Sequence, residues 1–304
     1  MKDNLLLIPN VPKVVLGTLC ACISATLGGS TFVLTRLILP QTDAFTLCFL
    51  RYFLMFLVLL LIFRPKLIST KYYDKDIFYI LILGVIYFGG FPVCVAIGLS
   101  MTQASDASLV FATMPIWTVI MAFLFKIEQL TRIKQIAVTL ACLGIYFAVG
   151  NYSGTNILQN LIGNIFVILG AIFASVFTVF SGNFISKYGN ILVLSLTLAS
   201  GVFAMFILML FFGTPLQGSL EFNFVGWLTI LFLVIPGGAL MMLFWMKALQ
   251  LIKPIHVSIC LAFNPLSAAL LGVLILNESL KFEFYIGSLL VFAAIILTQM
   301  KEKF

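Results

Sequence analysis

Three ionisable side chains sit inside or at the mouths of long apolar runs, and each invites a chemical reading: Arg51, Asp106 and His256. A charge within a bilayer is costly unless paired or wetted, so Arg51, about 10 Å inside its run at about 1.5 Å per residue, is a candidate to meet a solute carboxylate. Its structural alternative is a pairing with Asp106 or with carbonyls at a helix end. Asp106 and His256 occupy matched positions at the starts of two helices that each carry a proline. They are candidates for proton or substrate groups, and equally for helix N-terminal caps. Tyr87, Trp117, Trp245 and Asn264 carry polar tips in apolar surroundings and, with Ser30, are candidates to line a path for an amphipathic solute. Packing is the competing role. Aromatic rings serve it against lipid or other helices, and Ser24, Ser30, Thr31 and Ser175 serve it by letting helices approach closely.

Other chemistry finds no support. There is no Walker lysine loop, no HExxH and no Gly-x-Ser-x-Gly elbow, so an enzyme is not expected. Cys20 and Cys22 are too close on one helix for a standard zinc pair, and no His or Cys cluster joins them, so neither metal nor cofactor is expected. The six cysteines all fall in apolar runs and read as reduced thiols. No run holds the two carboxylates through which proton pumps relay, which gives proton coupling little support.

The elements that position these groups follow from composition. Of 304 residues, 62% are hydrophobic and 9% charged, with a mean hydropathy of +1.20. A soluble domain carries about a quarter charged residues, and no soluble fold of this length could hide so much apolar surface. The net charge of +7 sits in short inter-helical loops, so membrane topology explains it and nucleic acid is not an expected partner. A membrane-crossing helix needs roughly twenty apolar residues. Ten runs qualify, at about 14–38, 44–63, 77–99, 105–125, 133–150, 161–185, 191–212, 224–247, 255–276 and 284–300. The predicted fold is therefore all-α and polytopic, with the lipid bilayer as its solvent. Lys and Arg gather on one side of these runs, in the termini and the loops after the second, fourth, sixth and eighth, where Lys247 is counted. Only Arg36 and Lys281 fall on the other side. The positive-inside rule then puts both termini in the cytoplasm.

The chain also repeats itself. Asp106 to Glu128 aligns without a gap on His256 to Glu278, pairing Pro115 with Pro265. Ser24 to Arg36 falls more loosely on Ala171 to Asn183, and Gly89-Gly90 with Pro92 answers Gly237-Gly238 with Pro236. Prolines and paired glycines loosen a membrane helix where neighbours or water satisfy the freed carbonyls, so these eight residues are expected to set helix breaks or gates. Glu128 and Glu278 are expected to close their helices at the two surfaces, paired with Lys126 and Lys281 as structural ends. Five runs per copy is an odd number, so the second copy enters the membrane inverted. The predicted domains are residues 14–150 and 161–300.

These features resemble the EamA-type transporters of the drug/metabolite transporter superfamily. The resemblance rests on the two Pro…Glu helices, the Arg51-Tyr-Phe-Leu opening of the second run, and the Gly-Gly-Ser30-Thr-Phe-Val-Leu-Thr-Arg36 stretch, and it covers about residues 14–300. It implies a ten-helix bundle in a cell membrane, such as a bacterial inner membrane, that moves a small-molecule substrate through a central cavity. The expected function is alternating access by rocking one five-helix half on the other, with export of an amino acid or related organic ion. Alternatives are an uptake or exchange carrier for a nucleotide-like or cofactor-like solute, and a non-transporting assembly factor or receptor. A homodimer is one expected assembly. The second copy departs from the first at Leu198, which stands where the first has Arg51, so any role of that arginine is asymmetric.

Overall fold

A computed structural model describes residues 12–68, 74–126, 132–149, 157–215, 220–252, 256–257, 260–280 and 282–297. Among these residues every regular element is helical. This is the solution that apolar solvent demands, since a helix satisfies its backbone donors and acceptors within one segment. The helices are α1 (Lys13–Ile38), α2 (Ala44–Ile68), α3 (Asp74–Gly84), α4 (Phe91–Met101), α5 (Ala104–Phe111), α6 (Met114–Leu124) and α7 (Arg132–Val149). They continue with α8 (Ile157–Tyr188), α9 (Asn190–Phe212), α10 (Phe224–Val234), α11 (Met241–Leu251), α12 (Phe263–Leu276) and α13 (Phe282–Leu297).

Among the described residues seven helical runs are long and apolar enough to cross a bilayer: Lys13–Gln41, Ala44–Ile62, Lys75–Met101, Ala104–Leu124, Ile157–Tyr188, Asn190–Phe212 and Phe224–Leu251. The other three are shorter, with 18 residues in α7, 14 in α12 and 16 in α13. Length and composition thus give seven candidate crossings among the described residues, where ten were expected.

The helix breaks fall where the glycines and prolines stand. α3 runs into α4 through a π-helical turn, Val85–Gly90, just ahead of Pro92. α10 runs into α11 through a second, Ile235–Leu240, which contains Pro236. A π turn takes in one extra residue and suits a proline, which has no N–H to give to the ladder. Glycine here also serves close approach. A Cβ on Gly90 would lie 2.8 Å from the Phe173 ring, and one on Gly237 2.7 Å from Thr31. α5 and α6 are parted at Ala112 and Thr113, just before Pro115. α12 is preceded by a 3₁₀ turn, Cys260–Ala262, and holds Pro265 in its first turn.

Helices from the two copies interleave. α1 lies along α11 and α12, while α8 lies along α4 and α6, and exchanging the copies carries one set onto the other. α2 packs on α9 and α7 on α13, each against its matched helix, and α5 packs on α12. Polar ties repeat the pattern. The Asn223 amide donates to Gln41 Oε1 at 3.3 Å, and the Tyr188 hydroxyl donates to Asp76 Oδ2 at 2.6 Å; in the numbering each pair is the other displaced by 147. Asp43 starts α2 by accepting from the Thr46 amide at 2.8 Å, and its other oxygen accepts from the amide and hydroxyl of Thr214 beyond α9 at 3.0 and 3.1 Å.

Candidate functional site

A cavity lies between the copies. One face of α1 forms part of its wall with Ser24, Gly28, Thr31 and Thr35, opposite the aromatic side chains Tyr87, Phe91, Phe111 and Trp245. The α1 spacing of four, three and four residues is one helical stripe, so this hydroxyl-bearing wall was written in the sequence as a period. Tyr87 stacks on Phe177 at 4.3 Å and Phe91 on Phe111 at 5.1 Å, which fixes the ring walls.

Arg51 lines the cavity from α2 and is buried. Its Nε donates to the carbonyl of Leu233 at 3.2 Å and an Nη to that of Gly237 at 2.9 Å. Both acceptors belong to the π-turn region of the second copy, where carbonyls depart from the ordinary i→i+4 ladder. Of the two structural partners expected for Arg51, the helix carbonyls are the ones seen in these bonds, rather than Asp106. The guanidinium carbon lies 5.0 Å from the centre of the Tyr52 ring, adding a cation–π contact.

Two further polar side chains line the same space. Asn264 Oδ1 and Trp245 Nε1 are buried, line the cavity and have no hydrogen-bond partner among the described residues. Such atoms favour a solute that brings the missing partners. Tyr87 is better satisfied, donating weakly to the Met242 Sδ at 3.5 Å. The cavity therefore joins one guanidinium and two side chains with unmatched polar atoms to aromatic walls.

The other expected site residues are placed elsewhere. The Ser30 hydroxyl donates back to Leu27 of its own helix at 2.6 Å and is not in the cavity wall. Trp117 is also outside it, packed against the core from α6. Gly89, Gly90, Gly237 and Gly238 lie in the π turns, and Pro92 is in the cavity wall. Pro115 is buried, and Pro265 borders a separate groove beside Phe284 and Phe292. Asp106 is buried in the first turn of α5, whereas His256 is exposed.

Glu278 requires a correction. It is not at the surface; it is buried, 8% exposed, and reaches across to the other copy. Its Oε1 accepts from the Ala104 amide at 2.8 Å, and its Oε2 from the amide and hydroxyl of Ser105 at 3.1 and 2.8 Å. Arg36 Nε stands 3.6 Å from Oε1. Glu278 thus caps α5, a helix from the other copy, while its own helix ends at Asn277 in the left-handed region. Glu128 and Lys281 lie outside the described residues. Two basic residues counted toward the membrane surfaces also lie within helices. Arg36 ends α1 within the Glu278 cluster, and Lys247 is buried in α11 with its ammonium on Gln250 at 3.1 Å.

Comparison with known proteins agrees with this layout. The model of the EamA-like transporter family matches twice, over residues 15–150 and 161–300. An uncharacterized transporter of Clostridium kluyveri is 23% identical over 241 residues, covering 78% of this chain and 77% of its own. The uncharacterized transporter YetK of Bacillus subtilis is 24% identical, covering 90% and 84%. The uncharacterized inner membrane transporter YicL of Salmonella typhimurium is 26% identical, covering 94% and 96%. A solved crystal structure superimposes with a TM-score of 0.66 at 16% identity over 94% of this chain and 96% of the other, which shows a shared fold. With its apolar crossings and its twice-present domain, the chain is a multi-pass membrane protein that belongs to the EamA-like transporter family.

Proposed function

We propose that this protein is a secondary transporter that exposes its central cavity first to one side of the membrane and then to the other. The observation that carries the reading is the cavity itself, which joins Arg51, Asn264 Oδ1 and Trp245 Nε1 within aromatic walls between the two copies. The paired π turns, the interleaved matched helices and the polar ties displaced by 147 residues support an inverted repeat of five crossings each. In this reading ten helices cross an inner membrane with both termini in the cytoplasm, following the distribution of Lys and Arg. The space within the cavity is ≈ 70 Å³, against roughly 300–1,000 Å³ for an ordinary small-molecule site. A metabolite therefore enters as the helices around it part. The solute is an amino acid or related organic anion, with its carboxylate toward Arg51 and a donor toward Asn264; export follows from the family resemblance.

A thermal-shift screen of purified protein against a broad panel of amino acids and organic anions, followed by uptake into liposomes, tests this. A panel that neither shifts the melting temperature nor moves across the membrane would overturn the transport reading. Within a series of hits, Asn264→Ala is expected to weaken solutes with a hydrogen-bond donor by about tenfold, in line with loss of one buried hydrogen bond, while solutes lacking the donor change little. Equal losses for both would place Asn264 in packing alone.

A further inference from the structure

Glu278 is more than a helix cap, because of where its bonds lie. Its described partners follow closely in the chain on residues at one end of the cavity wall. Thr35 and Leu99 belong to the cavity wall; the next residue of α1, Arg36, donates through Nη1 to the Leu99 carbonyl at 3.0 Å and faces Glu278 at 3.6 Å. Glu278 in turn holds the first two amides of α5 and the Ser105 hydroxyl. These bonds therefore join α1 and the end of α12 to α4 and α5 across that end of the cavity. Gly272 leaves the carboxylate its place, since a Cβ there would stand 2.8 Å from Oε2.

We propose that Glu278 is a latch that shuts this mouth of the cavity and is released and remade in each transport cycle. The latch rests on the reading of the cavity as a solute path. A carboxylate on helix amides and beside a guanidinium makes several charge-assisted bonds at once, and all of them must break when α5 leaves α12. The sequence gives the opposite mouth less to work with. At the positions matched to Ala104 and Ser105 stand Pro254 and Ile255, which offer one amide fewer and no hydroxyl, and Asn183 stands where the first copy has Arg36. Lys247, buried toward the other end of the bundle, gives its ammonium to Gln250 of its own helix. The matched positions differ in the donors they carry, and the empty carrier rests with the Glu278 mouth shut.

The test reads opening directly. Thr35→Cys, in full-length protein freed of its native cysteines, is labelled with a membrane-impermeant maleimide in right-side-out and in inverted vesicles. Glu278→Gln is expected to raise the labelling rate by about tenfold or more from one face only, with Arg36→Gln raising it less. Unchanged rates from both faces in a folded protein would overturn the latch. Should Glu278→Gln fail to fold, Ser105→Ala keeps both amide bonds and is expected to raise the rate about threefold; no change there overturns the proposal equally. Faster labelling with no solute moved would sink the transport reading, and with it the cycling of the latch, leaving only the closure of the mouth by Glu278. Solute still moved with labelling unchanged would sink the latch alone.

Discussion

Arg51→Ala is expected to weaken binding of anionic solutes by at least about tenfold, the scale of a lost hydrogen bond to a charged group, while neutral solutes of similar shape change by less than about threefold. It also removes the donors on the Leu233 and Gly237 carbonyls, so a fall in melting temperature accompanies it, since each stranded buried acceptor costs roughly 1–3 kcal/mol. Arg51→Lys separates the two effects. The ammonium keeps the charge but cannot reproduce the planar fork that spans two carbonyls, so anion binding is largely kept while the melting temperature still drops. Titration of binding by thermal shift across matched anionic and neutral solutes reads this. Equal losses for both classes on Arg51→Ala would make the arginine a structural pin for the π turn and nothing more.

Gly29→Leu is expected to have the largest effect on folding. A Cβ on Gly29 would lie 2.3 Å from the Asn264 carbonyl oxygen and closer still to the Ser267 hydroxyl, so α1 and α12 cannot stay in contact. Backbone cannot yield as a side-chain tip can, and the loss is expected to reach or pass the roughly 1–3 kcal/mol typical of overpacking. Asn264 sits both at this contact and in the cavity wall, so solute binding goes with stability. Gly182→Ala is the matched control, because a Cβ there meets nothing within 4 Å. Circular dichroism melts in detergent, run beside size exclusion, check the pair. A Gly29→Leu protein as stable as the control would mean that α1 and α12 are less closely packed than described.

The sequence shows clearly whatever depends on near neighbours. Apolar runs of sufficient length declare the long crossings, and Pro92, Pro236 and the paired glycines declare the breaks, because a missing N–H acts on its own turn. Arg51 was legible as a group needing partners, and its asymmetry with Leu198 was visible too. The stripe of Ser24, Gly28, Thr31 and Thr35 could have been found by its period. Glu278 was misread for the opposite reason. Its expected place at the surface follows from near neighbours in the chain, whereas the described partners Ala104 and Ser105 are 174 and 173 residues distant. Hydropathy cannot weigh a bond across that separation. Lys247 was misplaced because counting charges assigns a lysine near a helix end to water, while here the helix continues to Leu251. Ser30 and Trp117 have the right chemistry on the wrong face, a distinction that only the helix orientation settles.

The interleaving of helices has a consequence for how the molecule moves. α1 rides with α11 and α12, and α8 with α4 and α6, so each mechanical body is a composite drawn from both ancestral copies. Sliding one copy wholesale past the other would tear apart the broadest interfaces in the bundle. Motion along the narrower boundary between α5 and α12 disturbs far less. In the proposed transport cycle the unit that was inherited and the unit that swings are therefore different, and probes for distance changes belong between α5 and α12 rather than between the first and second halves of the chain.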